Sequence, residues 1–134
     1  MVSSNLKGTF AFYGSVLAGK ALLLAGLTIA KRLQRKSFAG SQPHPEVRAI
    51  HRCHANDIEN LVPFLFLGFI YCKTNPSAKV GIWLFRVFAL SRFLHTAVYL
   101  YSEGTFLRAQ IFLVGYFVNV SLALKCISYY SKMY

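Results

Sequence analysis

Long apolar runs and short polar breaks alternate along the chain, and they divide it into four stretches. The first runs from about Thr9 to Ala30 with Lys20 as its only charge, and ends in a basic cluster of Lys31, Arg32, Arg35 and Lys36. It predicts a helix over 9–36. Ala39-Gly-Ser-Gln-Pro-His-Pro45 cannot easily continue that helix. The second stretch, 46–73, is polar in its first half (Arg48, Arg52, Asn56, Asp57, Glu59) and apolar and aromatic from Leu61 to Tyr71. Pro63 removes the donor to the Glu59 carbonyl, so a kink is expected there. Lys73-Thr-Asn-Pro-Ser reads as a turn, and a third helix follows over 78–101, interrupted by Arg86, Arg92 and His95. Ser102-Glu-Gly-Thr makes the last turn before a fourth helix over 106–131.

About 20 apolar residues, each rising about 1.5 Å, cross a hydrocarbon core about 30 Å thick. The first, third and fourth stretches meet that length. In the second, only about thirteen residues are uncharged, so its polar half must project beyond the lipid or into a bundle interior. The expected fold is all-α, an integral-membrane four-helix bundle, with residues 1–134 forming a single domain. The apolar start lacks the pattern of a cleaved signal peptide and reads as a signal anchor.

Composition supports the membrane reading. Of 134 residues, 55% are hydrophobic and 14% charged, the latter well below the roughly 25% of soluble domains. Mean hydropathy is +0.44. That excludes a disordered chain and an ordinary soluble enzyme. Yet the net charge is +11. Nucleic acid is not the expected partner, because several arginines sit inside apolar stretches rather than on a soluble face. Part of the excess is a topology signal. Lys31, Arg32, Arg35, Lys36, Arg48 and Arg52 crowd the first connection, so the positive-inside rule puts the first and third connections in the cytosol. Both termini then face the other side.

The polar residues inside the helices recur at helical spacing. Arg48, Arg52, Asn56 and Glu59 share one face of the second helix, and Arg92, His95 and Tyr99 one face of the third. Arg32 ends the first helix and Arg108 opens the fourth. Ionisable groups at membrane depth pair or line a wet cavity. Asp57 is expected to pair with an arginine of a neighbouring helix, and Lys20 to reach a facing polar group. Arg32, Arg48, Arg52, Arg92 and Arg108 face Glu46, Asp57, Glu59 and Glu103; if the interior arginines outnumber their partners, an anionic ligand is missing. A ligand with carboxylates would supply it, because a guanidinium holds a carboxylate bidentately.

Other chemistries have little support. Cys53, Cys72 and Cys126 are odd in number and scattered, which argues against a disulfide scaffold. His51 and His54 with Cys53 do not make a metal set, so no metal is expected. No glycine-rich nucleotide motif occurs, and nothing marks a serine as a nucleophile. Phe64-Leu-Phe and Tyr129-Tyr130 are expected at the lipid-facing surface and the interface.

Arg52-Cys-His-Ala-Asn-Asp-Ile-Glu-Asn-Leu-Val-Pro63, continued by Phe64-Leu-Phe-Leu-Gly-Phe-Ile-Tyr71, resembles the second helix of the membrane-associated proteins in eicosanoid and glutathione metabolism. Arg92-x-x-His-Thr-x-x-Tyr99, Arg108-Ala109 and Arg32-Leu-x-x-Lys-x-Phe-Ala39 extend the resemblance over roughly residues 15 to 125. It implies a homotrimer in the endoplasmic reticulum membrane, with the mitochondrial outer membrane as a second location. It also implies glutathione, as co-substrate or cofactor, between neighbouring subunits. By position, Arg32, Arg52, His54, Asn56, Glu59, Arg92, His95, Tyr99 and Arg108 would surround the tripeptide. Arg108 would be the catalytic residue, holding the thiol as thiolate. A lipophilic small-molecule substrate would arrive through the lipid bilayer.

The resemblance also implies which activity to expect. The family's Asn-Pro-Glu-Asp after Phe-Ala is replaced by Gly40-Ser-Gln-Pro43, which removes the aspartate invoked for its prostaglandin isomerases. Ala109 and Phe112 stand where those isomerases carry serine and tyrosine, and His51 replaces an arginine of the transferase pattern. Conjugation of glutathione to lipophilic electrophiles, with possible reduction of lipid hydroperoxides, is the leading expectation. A glutathione-dependent prostaglandin E synthase and a non-catalytic, lipid-presenting scaffold are the alternatives.

Overall fold

The computed structural model describes residues 2–38, 42–101 and 105–133. Four helices follow one another, α1 (Val2–Gln34), α2 (Pro45–Lys73), α3 (Ala78–Tyr101) and α4 (Thr105–Tyr130), and a short 3-10 turn, Ser131–Met133, closes the chain. The all-α four-helix expectation holds. Two helices, over Ser4–Gln34 and Thr105–Met133, are long and apolar enough to cross a membrane. The Gly40-Ser41 break and the turn with Glu103 lie outside the described residues.

α1 begins seven residues before the expected start. Ser3-Ser-Asn-Leu-Lys7 is polar but holds no helix breaker, and helix formation asks less of a sequence than crossing lipid does. α1 ends at Gln34 rather than Lys36 for a local reason. Lys36 takes φ 49°, the Lys36 amide donates to the Leu33 carbonyl at 3.3 Å and the Ser37 amide to the Arg32 carbonyl at 2.9 Å. That is a left-handed C-terminal cap, with a lysine where glycine is usual. α2 then starts on His44, whose Nδ1 accepts from the Glu46 amide, with Pro45 in the first turn. Arg35 hydrogen-bonds Glu46 across this connection and holds its carboxyl below the usual carboxylate range.

Contacts fix the topology. Phe10 lies against Gly68 and Lys20 binds Asp57, so α1 and α2 are antiparallel. Phe64 stacks on Phe88 with ring centres 4.0 Å apart, and Asn56 meets Arg92, so α2 and α3 are antiparallel as well. Asn119 donates to the Asn60 carbonyl and Cys126 Sγ to the Leu67 carbonyl, which makes α4 parallel to α2. The bundle is therefore up-down-up-down. Among the described residues α2 and α3 touch across the diagonal and α1 and α4 do not. The chemistry-bearing faces of α2 and α3 thus meet inside the bundle.

The core is aromatic, built on Phe64, Phe85, Phe88 and Tyr71. One expectation needs correcting here. Phe64 is fully buried, not lipid-facing, while Phe66 is exposed. Two positions apart on a helix is roughly 200° of rotation, so only one of the pair could face outward. Leu22, Leu23, Trp83, Leu90 and Phe117 are among many large apolar side chains on the outside, as a lipid or subunit boundary requires.

Candidate functional site

At the end of the bundle where α3 passes into α4, a cleft of about 390 Å³ opens between α2, α3 and α4. Arg52 and Asn56 reach it from α2, His95 and Tyr99 from α3, and Arg108 from the first turns of α4. The four-residue steps from Arg52 to Asn56 and from His95 to Tyr99 put each pair on one helix face. Thr105, Ala109 and Phe112 complete the lining. These three were not among the expected site residues, although Thr105 and Phe112 flank Arg108 by three and four positions and so share its face.

The lining carries two guanidiniums and no carboxylate. Arg108 is half-buried; its Nη2 donates to Thr105 Oγ1 at 3.3 Å, and its guanidinium sits 5.0 Å from the centre of the Tyr99 ring. His95 is buried, and its Nδ1 has no partner among the described residues. Such a surface favours an anion, since each guanidinium can donate two parallel hydrogen bonds to a carboxylate.

The other expected residues fall elsewhere. Arg92 is 1% exposed and lies behind the cleft, not in its lining. It donates to Asn56 Oδ1 at 3.4 Å and to the Phe112 carbonyl at 3.3 Å, and its guanidinium lies between the Phe88 and Phe112 rings. Arg92 thus ties together two residues that line the cleft from α2 and α4. His54 is half-buried with Nδ1 unpartnered among the described residues. Glu59 is exposed and lines a second cleft of about 350 Å³, which shares Phe112 with the first. Arg32 is exposed at the end of α1. One chain therefore gathers Arg52, Asn56, His95, Tyr99 and Arg108, and leaves Arg32, His54 and Glu59 outside that cleft.

Asp57 does not pair with an arginine, which corrects the sequence expectation. Its partner is Lys20 of α1, whose Nζ also donates to the Arg92 carbonyl at 2.8 Å. Because α1 runs antiparallel to α2, Lys20 sits at the height of Asp57, while Arg92 of α3 donates to an amide and a carbonyl oxygen and Arg108 of α4 to the Thr105 hydroxyl. Glu46 is likewise taken, by Arg35 and Lys31 on the surface. Arg92 is left with no carboxylate partner among the described residues.

Gly115 of α4 makes room for Arg92. A Cβ there would lie 2.7 Å from Arg92 Nη2, 2.9 Å from its Nε and 2.9 Å from Ser91 Oγ. A fully buried guanidinium has nowhere cheap to go. Gly115→Ala is expected to lower stability by about 1–3 kcal/mol, the usual cost of overpacking. It should also raise the KM for the anionic ligand, because Asn56 and the Phe112 carbonyl lose their tie. Thermal unfolding in detergent and steady-state kinetics check both; an unchanged KM would mean Arg92 does not position the cleft.

A sequence model of the MAPEG family matches residues 10–128. Microsomal glutathione S-transferase 1 of Homo sapiens is 33% identical over 141 residues, covering 93% of this chain and 90% of the relative. The Rattus norvegicus protein of the same name is 30% identical over 150 residues, covering 100% and 96%. Prostaglandin E synthase of Equus caballus is 32% identical over 139 residues, covering 95% and 91%.

Proposed function

Because this chain belongs to the MAPEG family, we propose that it is a membrane-embedded glutathione transferase that joins the thiolate of glutathione to lipophilic electrophiles. The observation that carries this reading is the cleft itself, where Arg52 and Arg108 face an anion-sized space with no acidic side chain in its lining. Glutathione brings two carboxylates and a thiol, which suits two cationic forks. Arg52 and Asn56 are assigned to a carboxylate and the peptide backbone of glutathione, and Arg108 to its sulfur.

Only the thiolate is a strong nucleophile, and a free thiol titrates at about 8.5. A guanidinium within a few ångströms, in a site partly screened from water, lowers the energy of the anion by Coulomb attraction. The Tyr99 ring stacked on Arg108 limits where that charge can swing. The electrophile enters from the lipid side, by way of the apolar wall formed by Phe112 and Tyr116 in the adjoining cleft. Arg32, His54 and Glu59 are assigned to glutathione held between neighbouring subunits of a homotrimer, with Glu59 facing the ammonium group. Location in the endoplasmic reticulum membrane completes the reading.

The relatives also include prostaglandin E synthases at similar identity, so an isomerase is the second reading. Ala109 and Phe112 favour the transferase, because they line the cleft where the family's isomerases carry serine and tyrosine. The deciding experiment uses the detergent-solubilised protein. Glutathione should produce thiolate absorbance, followed by turnover with 1-chloro-2,4-dinitrobenzene. Turnover of prostaglandin H alone would replace the transferase with the isomerase, and no thiolate with no turnover would remove both.

A further inference from the structure

Among the described residues, the opposite end of the bundle has lysines and no carboxylate side chain. Lys73, Lys79, Lys125 and Lys132 belong to it, and none of the acidic side chains among the described residues, Glu46, Asp57 and Glu59, does. Glu46 and Asp57 are held by Arg35 and Lys20, Glu59 lines the cleft beside the site, and Glu103 stands in the sequence between α3 and α4. At this end a cleft of about 420 Å³ lies between the α2–α3 turn and the end of α4. Its polar wall is Ser77, Lys125, Ser128, Tyr129 and Lys132. Lys125, Ser128, Tyr129 and Lys132 step by three, one and three along α4 and its terminal turn, which gathers them on one face. Both lysines are exposed and neither has an ion pair among the described residues.

The other wall is apolar. Val80 and Leu124 are 42% and 61% exposed, and the apolar span of α4 ends at this cleft, at Met133. With α4 across a bilayer, a membrane phosphate would lie at the height of the lysines and its acyl chains would run down past Leu124. Lysines near a span end extend their stems along apolar surface and keep their heads at the interface, and tyrosines favour that level.

We propose that this cleft binds the phosphate headgroup of an anionic membrane phospholipid, with Lys125 and Lys132 as its counter-charges and the Ser77, Ser128 and Tyr129 hydroxyls as donors. The ligand is a lipid rather than free phosphate because exposed apolar side chains, Val80 and Leu124, line the cleft beside the lysines at the end of a membrane-length helix.

The test uses the full chain in phosphatidylcholine vesicles containing phosphatidylserine, re-extracted in mild detergent, with retained lipid read by native mass spectrometry. The wild-type protein should keep phosphatidylserine in preference to phosphatidylcholine. The double variant Lys125→Gln/Lys132→Gln should lose that preference by roughly tenfold or more, at about the strength expected for two interfacial lysines. Lys36→Gln/Arg86→Gln, with the same change in net charge away from the cleft, should keep it. Thermal unfolding in zwitterionic detergent establishes that both variants are folded; if the lysine pair fails that check, Lys125→Arg/Lys132→Arg should retain the preference and Leu124→Ala should weaken it. Equal loss in both charge-matched pairs would overturn the proposal, as would no preference in the wild type. Displacement of the lipid by inorganic phosphate at equal concentration would also overturn it, by making the site one for free phosphate.

Discussion

Arg108→Ala should cut turnover with 1-chloro-2,4-dinitrobenzene by about 10²- to 10³-fold at neutral pH, in the range found when one preorganised charge or donor is removed from an active site. The protein should still fold, because Arg108 is half-buried and, among the described residues, its side-chain hydrogen bond goes to neighbouring Thr105. The effect should have a signature that a packing defect lacks. If Arg108 acts by favouring the thiolate, raising the pH toward about 8.5 supplies thiolate without it. The deficit of the alanine variant should therefore shrink as pH rises, and the thiolate absorbance on adding glutathione should appear only at higher pH. Arg108→Lys keeps the charge but loses the fork and the stacking on Tyr99, so it should recover part of the rate. A pH-independent deficit, or unchanged activity, would sink this role for Arg108.

The four helices were legible because lipid-length apolar runs and Pro, Gly or Asn breaks are both local features. Their ends were less so. The left-handed cap at Lys36 is invisible where the usual glycine is absent, and polarity at Ser3 to Lys7 says nothing against a helix. Within the site, periodicity placed Arg52 with Asn56 and His95 with Tyr99, and the cleft brings both pairs to Arg108. What periodicity could not supply was register between helices. Arg92 and His95 are one turn apart on the same face and both are buried, yet only His95 reaches the cleft wall. The same lack hid the partner of Asp57, because only the antiparallel height of α1 on α2 selects Lys20 over an arginine. For Phe64, the spacing to Phe66 shows that the two cannot both face outward, but which of them is buried comes from the packing on Phe88.

That hidden partner carries the second large effect. Lys20 and Asp57 are 7% and 4% exposed, and each is the other's only ion pair among the described residues. Removing one member of a buried pair strands the other charge, at a cost of about 3–5 kcal/mol. Coupling between polar groups is weaker in membrane proteins, about 0.6 kcal/mol on average, because the unfolded chain finds other partners in the bilayer. Here the charges are full and enclosed by helices, so the desolvation of the stranded ion outweighs that compensation. Asp57→Ala should therefore lower the thermal midpoint strongly. Replacing both, as Lys20→Met/Asp57→Leu, should restore much of the stability, since apolar side chains of similar volume fill the site without a charge. Activity should separate from stability in the double variant. Lys20 Nζ also holds the Arg92 carbonyl, and Arg92 in turn holds Asn56 and Phe112 at the cleft. With the midpoint recovered, a raised KM for glutathione would mark the pair as the base on which the cleft is set. Full recovery of both midpoint and KM would reduce it to a packing element, and a double variant no more stable than Asp57→Ala would show that the stranded lysine was not the source of the loss.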